Sequence, residues 1–270
     1  MDTVKHIDSL KNATIKDVVL IKEKSRWRKK TGNFIVEGLR ELEMALKGGY
    51  RLETIFFDPG IIKVEAVQEI LHTHSTSAEL ISVSHEVYRR IAYREKTEGV
   101  VALGNSKSHS LEGLQFRREK PLILVAEALE KPGNIGALLR TADAAALDAV
   151  IIANPKTDLY NPNILRSSLG CVFTVPIALA ENAEVIKFFK EHQIATFAAD
   201  LQAEHHYSEM DFSAGSALVV GAESSGLTEE WTRAATHRII IPMQGEIDSM
   251  NVSVSAAILI FEAMRQRDFV

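Results

Sequence analysis

Three stretches of this chain set polar side chains among glycines, inside segments that otherwise look like core. In PGNIGALLRTADAA (Pro132–Ala145) one arginine, Arg140, sits in an Ala/Leu-rich helical pattern. Ile135, Leu138, Leu139 and Ala142 gather on one face of that helix, and Arg140 points roughly 140° around the wheel from Ile135. It is therefore either solvated or aimed at a ligand, where it would steady negative charge or grip a phosphate. Asn134 stands at a predicted helix N-cap, a common structural role. In GAESSGLTEEW (Gly221–Trp231), Glu223 lies between Gly221 and Gly226, placed to complement a cation or to hold a loop through backbone N–H groups. In IPMQGEIDSMNVSVS (Ile241–Ser255), Ser249 and Asn251 precede a last helix predicted to start near Asn251. Either residue is a cap or a polar partner for a ligand.

Spacing excludes several other chemistries. No G-x-G-x-x-G occurs and no G-x-x-x-x-G-K-[ST], so neither dinucleotide nor phosphate-loop fingerprints are present. AESSG (Ala222–Gly226) loosely mimics the nucleophile elbow of α/β-hydrolases. Those enzymes need an acid and then a histidine downstream of the serine, and the last histidine, His237, lies only thirteen residues beyond Ser224. The pairs His72/His74 and His205/His206 lack Cys or carboxylate partners at ligand spacing, so no metal is expected. A single cysteine, Cys171, cannot form an internal disulfide, which favours a reducing cytoplasm. No apolar run approaches the roughly 18 residues of a membrane span, and no signal-peptide pattern opens the chain.

Elements must position these residues, and hydropathy alternates accordingly. A helix is predicted over roughly 13–30, then strands at NFIVEG, LETIFFD, AELISV and EGVVAL with helical patterns between them. After a polar segment, apolar runs recur at PLILVAEAL, DAVIIA, CVFTVPI, IATFAAD, ALVVGAE and RIIIPM. Such alternation predicts an α/β fold with a parallel sheet in each half. The predicted organisation is a smaller N-terminal α/β domain over 1–106, a linker over 107–120 and a second domain over 121–270. In open parallel sheets ligands sit beyond the carboxyl ends of strands, where the three loops fall.

Charge divides the chain in the same place. Residues 1–120 hold 21 Lys/Arg and 17 Asp/Glu, a net of +4, whereas 121–270 hold 10 and 19, a net of −9. Two modules with different partners are implied. The basic excess concentrates in KEKSRWRKK (Lys22–Lys30) and YRRIAYREK (Tyr88–Lys96), both interleaved with aromatics. That composition suits a polyanion whose bases can stack, so Arg26, Arg28, Lys29 and Lys30 are candidate RNA contacts. A solvated helix face is the alternative for each stretch.

Taken in order, the three loops resemble the SpoU/TrmH-type RNA ribose 2′-O-methyltransferases of the SPOUT superfamily. The N-x-G-x-x-x-R-T-A motif is matched by Asn134, Gly136, Arg140, Thr141 and Ala142, and G-x-E-x-x-G-L by Gly221, Glu223, Gly226 and Leu227. I-P-M followed by S-L-N-V-S is matched by Ile241, Pro242, Met243, Ser249, Asn251, Val252 and Ser253, with Met250 replacing leucine. NPNILRSSLGCVF resembles a linking R-x-S-x-G piece through Arg166, Ser168 and Gly170. SRWRKKTGNFIVEGLRELEMAL is similar to a ribosomal-protein-like RNA-binding domain that many members carry. Two departures stand out: Lys131 where many members have an acid, and Ser224-Ser225 where a glycine is frequent.

The resemblance implies a C-terminal SPOUT domain with a deep trefoil knot, S-adenosylmethionine as cofactor, RNA as substrate (ribosomal before transfer RNA) and a homodimer formed through the C-terminal domain. By the same resemblance, Val220, Gly221, Ile241, Met243 and Met250 would hold the cofactor, Gly221 by letting backbone approach closely. Asn134, Arg140, Glu223, Ser249 and Asn251 would form the catalytic pocket, and Arg166 would contact RNA. Arginine is normally protonated in proteins, so orientation and charge stabilisation are favoured for Arg140, with the general base left open.

Overall fold

The computed structural model describes residues 4–94 and 98–270. The chain forms two compact units, one comprising Met1–Lys107 and Asp158–Thr174, the other Ser108–Thr157 and Val175–Val270. Glu95 and Lys96, the end of the second basic stretch, lie outside the described residues.

The first unit begins β1 (Lys5–Ile7), α1 (Ala13–Glu23), α2 (Ser25–Thr31), β2 (Asn33–Glu37) and α3 (Leu39–Lys47). It continues β3 (Leu52–Phe57), α4 (Val64–Thr73), β4 (Glu79–Val83), α5 (His85–Ile91) and β5 (Val100–Asn105). Its sheet, ordered β1-β4-β3-β5-β2, is mixed rather than parallel. β4 runs parallel to β1 and β3, while β5 runs antiparallel to both β3 and β2. Hydropathy alternation marks where strands are but not which strands pair, and the pairing sets their direction. The predicted helix over 13–30 is two helices, because Lys24 adopts an extended conformation between them. That break turns Arg28 inward. Its guanidinium donates to the carbonyls of Ile21 (2.8 Å) and Lys22 (3.1 Å), closing the end of α1, and pairs with Asp158.

The second unit carries β6 (Leu122–Glu127), α6 (Pro132–Ala144) and β7 (Ala149–Ala153). After β7 the chain contributes α7 (Pro162–Ser167) to the first unit and then returns. It resumes with β8 (Ile177–Ala180), α8 (Asn182–Glu191), β9 (Ala195–Ala199), β10 (His205–His206), β11 (Ser216–Val220), α9 (Glu229–Ala234), β12 (His237–Ile240) and α10 (Val252–Gln266). The seven strands are all parallel, ordered β10-β12-β9-β11-β6-β7-β8. β6, β7 and β11 are buried along their whole length, as strands covered on both faces must be. α10 packs on α6 and β11.

Two further boundaries differ from expectation. CVFTVPI is not a single strand: Cys171–Phe173 is a 3₁₀ turn and β8 starts only at Ile177. Tyr160 and Phe173 bind this excursion to the first unit by stacking on Phe34 at 4.5 and 5.6 Å, and the Tyr160 hydroxyl donates to Tyr50 Oη at 3.2 Å. Burial pushes the hydroxyl pKa of both tyrosines upward. The expected linker is folded over most of its length. Leu111 is buried, Phe116 meets Phe188 edge-on at 6.2 Å, and Arg118 pairs with buried Asp148 at 3.0 Å. These apolar residues are irregularly spaced, so no periodicity reveals them.

Candidate active site

The carboxyl ends of β9, β11 and β12 open on one cleft of about 790 Å³. Val220, Gly221, Ile241, Met243 and Met250 all line it, and so do Glu223 and Ser249. Residues 199–202, leaving β9, form another wall. Sequence reading passed them over. The clue was positional: any strand lying between β11 and β12 must end at the same edge.

The turn after β11 is held by its own backbone. Gly226 N donates to the Ala222 carbonyl at 2.8 Å, and Gly226 takes the left-handed conformation, φ +66°. A Cβ on Gly221 would lie 2.3 Å from the Gly226 carbonyl carbon. Gly221 is thus required by the chain crossing itself, the ordinary role of a turn glycine. The turn is also anchored at its far end. Buried Glu127, at the end of β6, accepts from Thr228 N (2.9 Å), Thr228 Oγ1 (2.7 Å) and Asn182 Nδ2 (2.6 Å). Asn182 Oδ1 in turn accepts from Trp231 Nε1 at 2.9 Å. One carboxylate therefore ties the strand before the first motif to the end of the second. An acid closing the apolar run LILVAE was the available signal.

A smaller pocket of about 270 Å³ adjoins this turn, lined by Lys131, Asn134, Ala222, Glu223 and Ser224 among others. It shares residues 222–224 with the larger cleft. Asn134 is not a cap: α6 begins at Pro132 with Lys131 as its N-cap residue, and Asn134 lies in the first turn. A proline at the first helical position, where no N–H is needed, places the boundary there. Asn134 Oδ1 accepts from Asn251 Nδ2 at 3.3 Å, joining the first motif to the third. Asn251 caps α10 as expected, accepting from Ser253 N at 2.9 Å. Ser249 is exposed and donates to Asp248 Oδ1 at 3.2 Å. Glu223 pairs with Lys131 Nζ at 2.8 Å.

Arg140 is elsewhere. The apolar face of α6 is buried as predicted and Arg140 is exposed, but it lines neither pocket. Six residues beyond Asn134, it lies about 9 Å further along the helix and on another side.

On α2, Arg26, Lys29 and Lys30 are exposed, whereas Arg28 is buried in its pairing with Asp158 and is not available to RNA. Trp27 is half-buried against the core, with Lys30 Nζ 4.8 Å above its ring. Tyr88 is core, its hydroxyl oxygen accepting from Gly99 N at 3.0 Å, and Tyr93 is exposed. Arg166 is exposed on α7. Lys22 donates to the carbonyls of Arg90 and Ala92, and burial, then the Arg90 charge, lowers its pKa. Nothing supports a hydrolase: among the described residues no histidine is hydrogen-bonded to Ser224 or Ser225, and the His237 ring stacks on Phe197 at 5.1 Å. Among the described residues no cluster of three or more His, Cys, Asp or Glu could hold a metal, and no helix is long and apolar enough to cross a membrane.

A seven-stranded parallel sheet whose strand ends converge on one large cleft, with a smaller pocket adjoining it, is the ligand-binding arrangement of an open α/β domain. Residues 121–261 match the SpoU rRNA Methylase family, and residues 12–102 match the MRM3-like substrate binding domain. The chain belongs to the SpoU rRNA methylase family. It is 30% identical to the Bacillus subtilis 23S rRNA (guanosine(2553)-2'-O)-methyltransferase RlmP, over 96% of this chain and 98% of that one. A crystal structure of an RNA 2'-O ribose methyltransferase matches with TM-score 0.82 at 39% identity, covering 97% of this chain and 99% of the other. The SpoU methyltransferase AviRb from Streptomyces viridochromogenes, in complex with the cofactor AdoMet, matches with TM-score 0.88 at 26% identity, covering 96% and 99%.

Proposed function

We propose that this protein transfers a methyl group from S-adenosylmethionine to the 2′-hydroxyl of a ribose in ribosomal RNA. The observation that carries the reading is that a large cleft and a small pocket bearing Lys131, Asn134 and Glu223 meet at one turn, residues 222–224. The donor set of the cleft fits the cofactor: Val220, Ile241, Met243 and Met250 offer apolar walls for adenine, the strand ends offer backbone groups, and Glu223 offers a carboxylate. When bound, S-adenosylmethionine supplies a methyl group on a cationic sulfur. Glu223, at the border of both pockets, complements that charge, while the amide of Asn134, held by Asn251 just outside the small pocket, orients the ribose so that its 2′-oxygen faces the cleft. Ser249 offers a further hydroxyl at the cleft edge. Arg26, Lys29, Lys30 and Arg166 hold the RNA backbone, with the domain over 12–102 as the substrate-binding module. The reading includes a cytoplasmic location, which a ribosomal substrate and a single free cysteine, Cys171, support.

The active form is a homodimer built on α10. Val254 and Phe261, one helical stripe, are 48% and 44% exposed on a helix that packs on α6 with its other side. Arg140, outside the pockets of its own chain, would stabilise charge at the reacting ribose of the partner copy. The knot belongs to the same reading. The connection from β11 to β12 passes over β9, and α10 then returns to α6 and β11, the kind of path a threaded chain takes.

Ribose-methylation mapping of RNA from cells with and without the gene tests the reaction: one ribosomal 2′-O-methyl group should vanish, and a missing mark on transfer RNA instead would overturn the substrate. Mixing tests the shared site. Arg140→Ala and Asn251→Ala should each lower methyl transfer by roughly 10², the usual scale for one preorganised stabilising group. Refolded together in equal amounts, they should recover about a quarter of wild-type activity, because half the dimers are mixed and each of those keeps one intact site. No recovery would confine Arg140 to its own chain.

A further inference from the structure

The small pocket is poorly charged for its proposed substrate. Glu130 and Glu223 both line it, and of its lining residues only Lys131 is cationic. Among the described residues lining the larger cleft the one Lys or Arg is Arg238, which is engaged by Asp200 at 2.7 Å. An RNA strand entering between two carboxylates needs a positive charge at that point, and Lys131 is the side chain placed to give it. Its ammonium lies 2.8 Å from Glu223 Oε2, yet the side chain is 72% exposed. An exposed pair of this kind contributes little, so exchanging Glu223 for a phosphate is cheap. Lysine suits the exchange: a compact charge on a flexible four-carbon stem can swing between partners, where a forked guanidinium would be held by geometry.

We propose that Lys131 binds the RNA phosphate next to the reacting ribose, leaving Glu223 as the strand arrives. The inference rests on the ribosomal RNA reading above. It assigns this chain a backbone contact at the mouth of its own pocket, separate from the basic helix α2. Lys131 acts here as a positioning residue: it fixes where the ribose sits and takes no part in the bond changes.

The test uses the full chain with unmodified 23S ribosomal RNA transcribed in vitro, measuring both binding and methyl transfer across a series of potassium chloride concentrations. Lys131→Ala should lower kcat/KM for RNA by about tenfold at low salt, and the salt slope of binding should shrink by about 0.7–0.9, the loss of one phosphate contact. Lys131→Arg should restore most of the salt slope but less of kcat/KM, because a forked guanidinium leaves Glu223 less readily, and calorimetry should find S-adenosylmethionine affinity within about twofold of wild type in each variant. An unchanged salt slope in Lys131→Ala overturns the proposal even if the rate falls, since Lys131 would then serve only to hold Glu223. If the wild type binds the transcript without methylating it, the functional reading fails, while the binding slopes still decide the role of Lys131.

Discussion

The basic helix α2 and the three loops around the cleft were both conspicuous in the sequence, and the fold treats them differently. Of the four basic residues between 26 and 30 in α2, Arg28 is drawn inside to close α1 and pair with Asp158. Of the second basic stretch, Tyr88 is core and Arg90 and Arg94 are paired with Glu23 and Glu41. The loops lost far less: the five expected cofactor residues, Glu223 and Ser249 share one cleft, and Asn134 meets Asn251. A run of charge tells how many charges a segment has but not which way each points. A glycine-rich loop after a parallel strand is constrained further, because all strands of such a sheet end at one edge.

Breaking the comparison begins with Arg28. Arg28→Ala should cost about 3 kcal/mol of stability, by leaving largely buried Asp158 without its cation and with only the Tyr160 N–H as partner. Denaturant titration measures it, and an unchanged midpoint would return Arg28 to the RNA surface. Gly221→Ala comes next. A side chain there must displace the Gly226 backbone at a cost of about 1–3 kcal/mol. Calorimetry should find S-adenosylmethionine bound about tenfold or more weakly, and wild-type affinity would mean the turn can move aside.

Replacing Arg26, Lys29 and Lys30 together by Ala should leave stability and cofactor affinity unchanged while the salt slope of RNA binding falls by about 2–3. Equal loss of cofactor binding would erase the division between the two units. The smallest effect concerns α10. Hydrogen bonds from Arg265, then Gln266, hold the Glu262 carboxyl near pKa 2 against an ordinary 4.5. A carboxylate depressed in this way adds stability above the ordinary value, and that contribution is lost as pH falls from 4.5 toward 2. Glu262→Gln should flatten the acid side of the stability profile there. An unaltered profile would show that the helix end does not depend on the carboxylate.

Much of this protein was written in local pattern. Apolar runs located strands such as Leu122–Glu127 and Ser216–Val220, and the last helix begins at the asparagine that caps it. Spacing within three loops also picked out the residues that now line the cleft. Those features are local, since hydropathy period, capping and the need for glycine at a tight crossing act over a few neighbouring residues. Only the tertiary structure decided the antiparallel β5, the break at Lys24, the capture of residues 158–174 by the first unit and the pairing of Lys131 with Glu223. It also decided that Arg140 stands outside its own crevice, a matter of helix length and direction. Each of these depends on which distant groups become neighbours, and hydrogen-bond partners, ion pairs and burial exist only once the strands have been ordered.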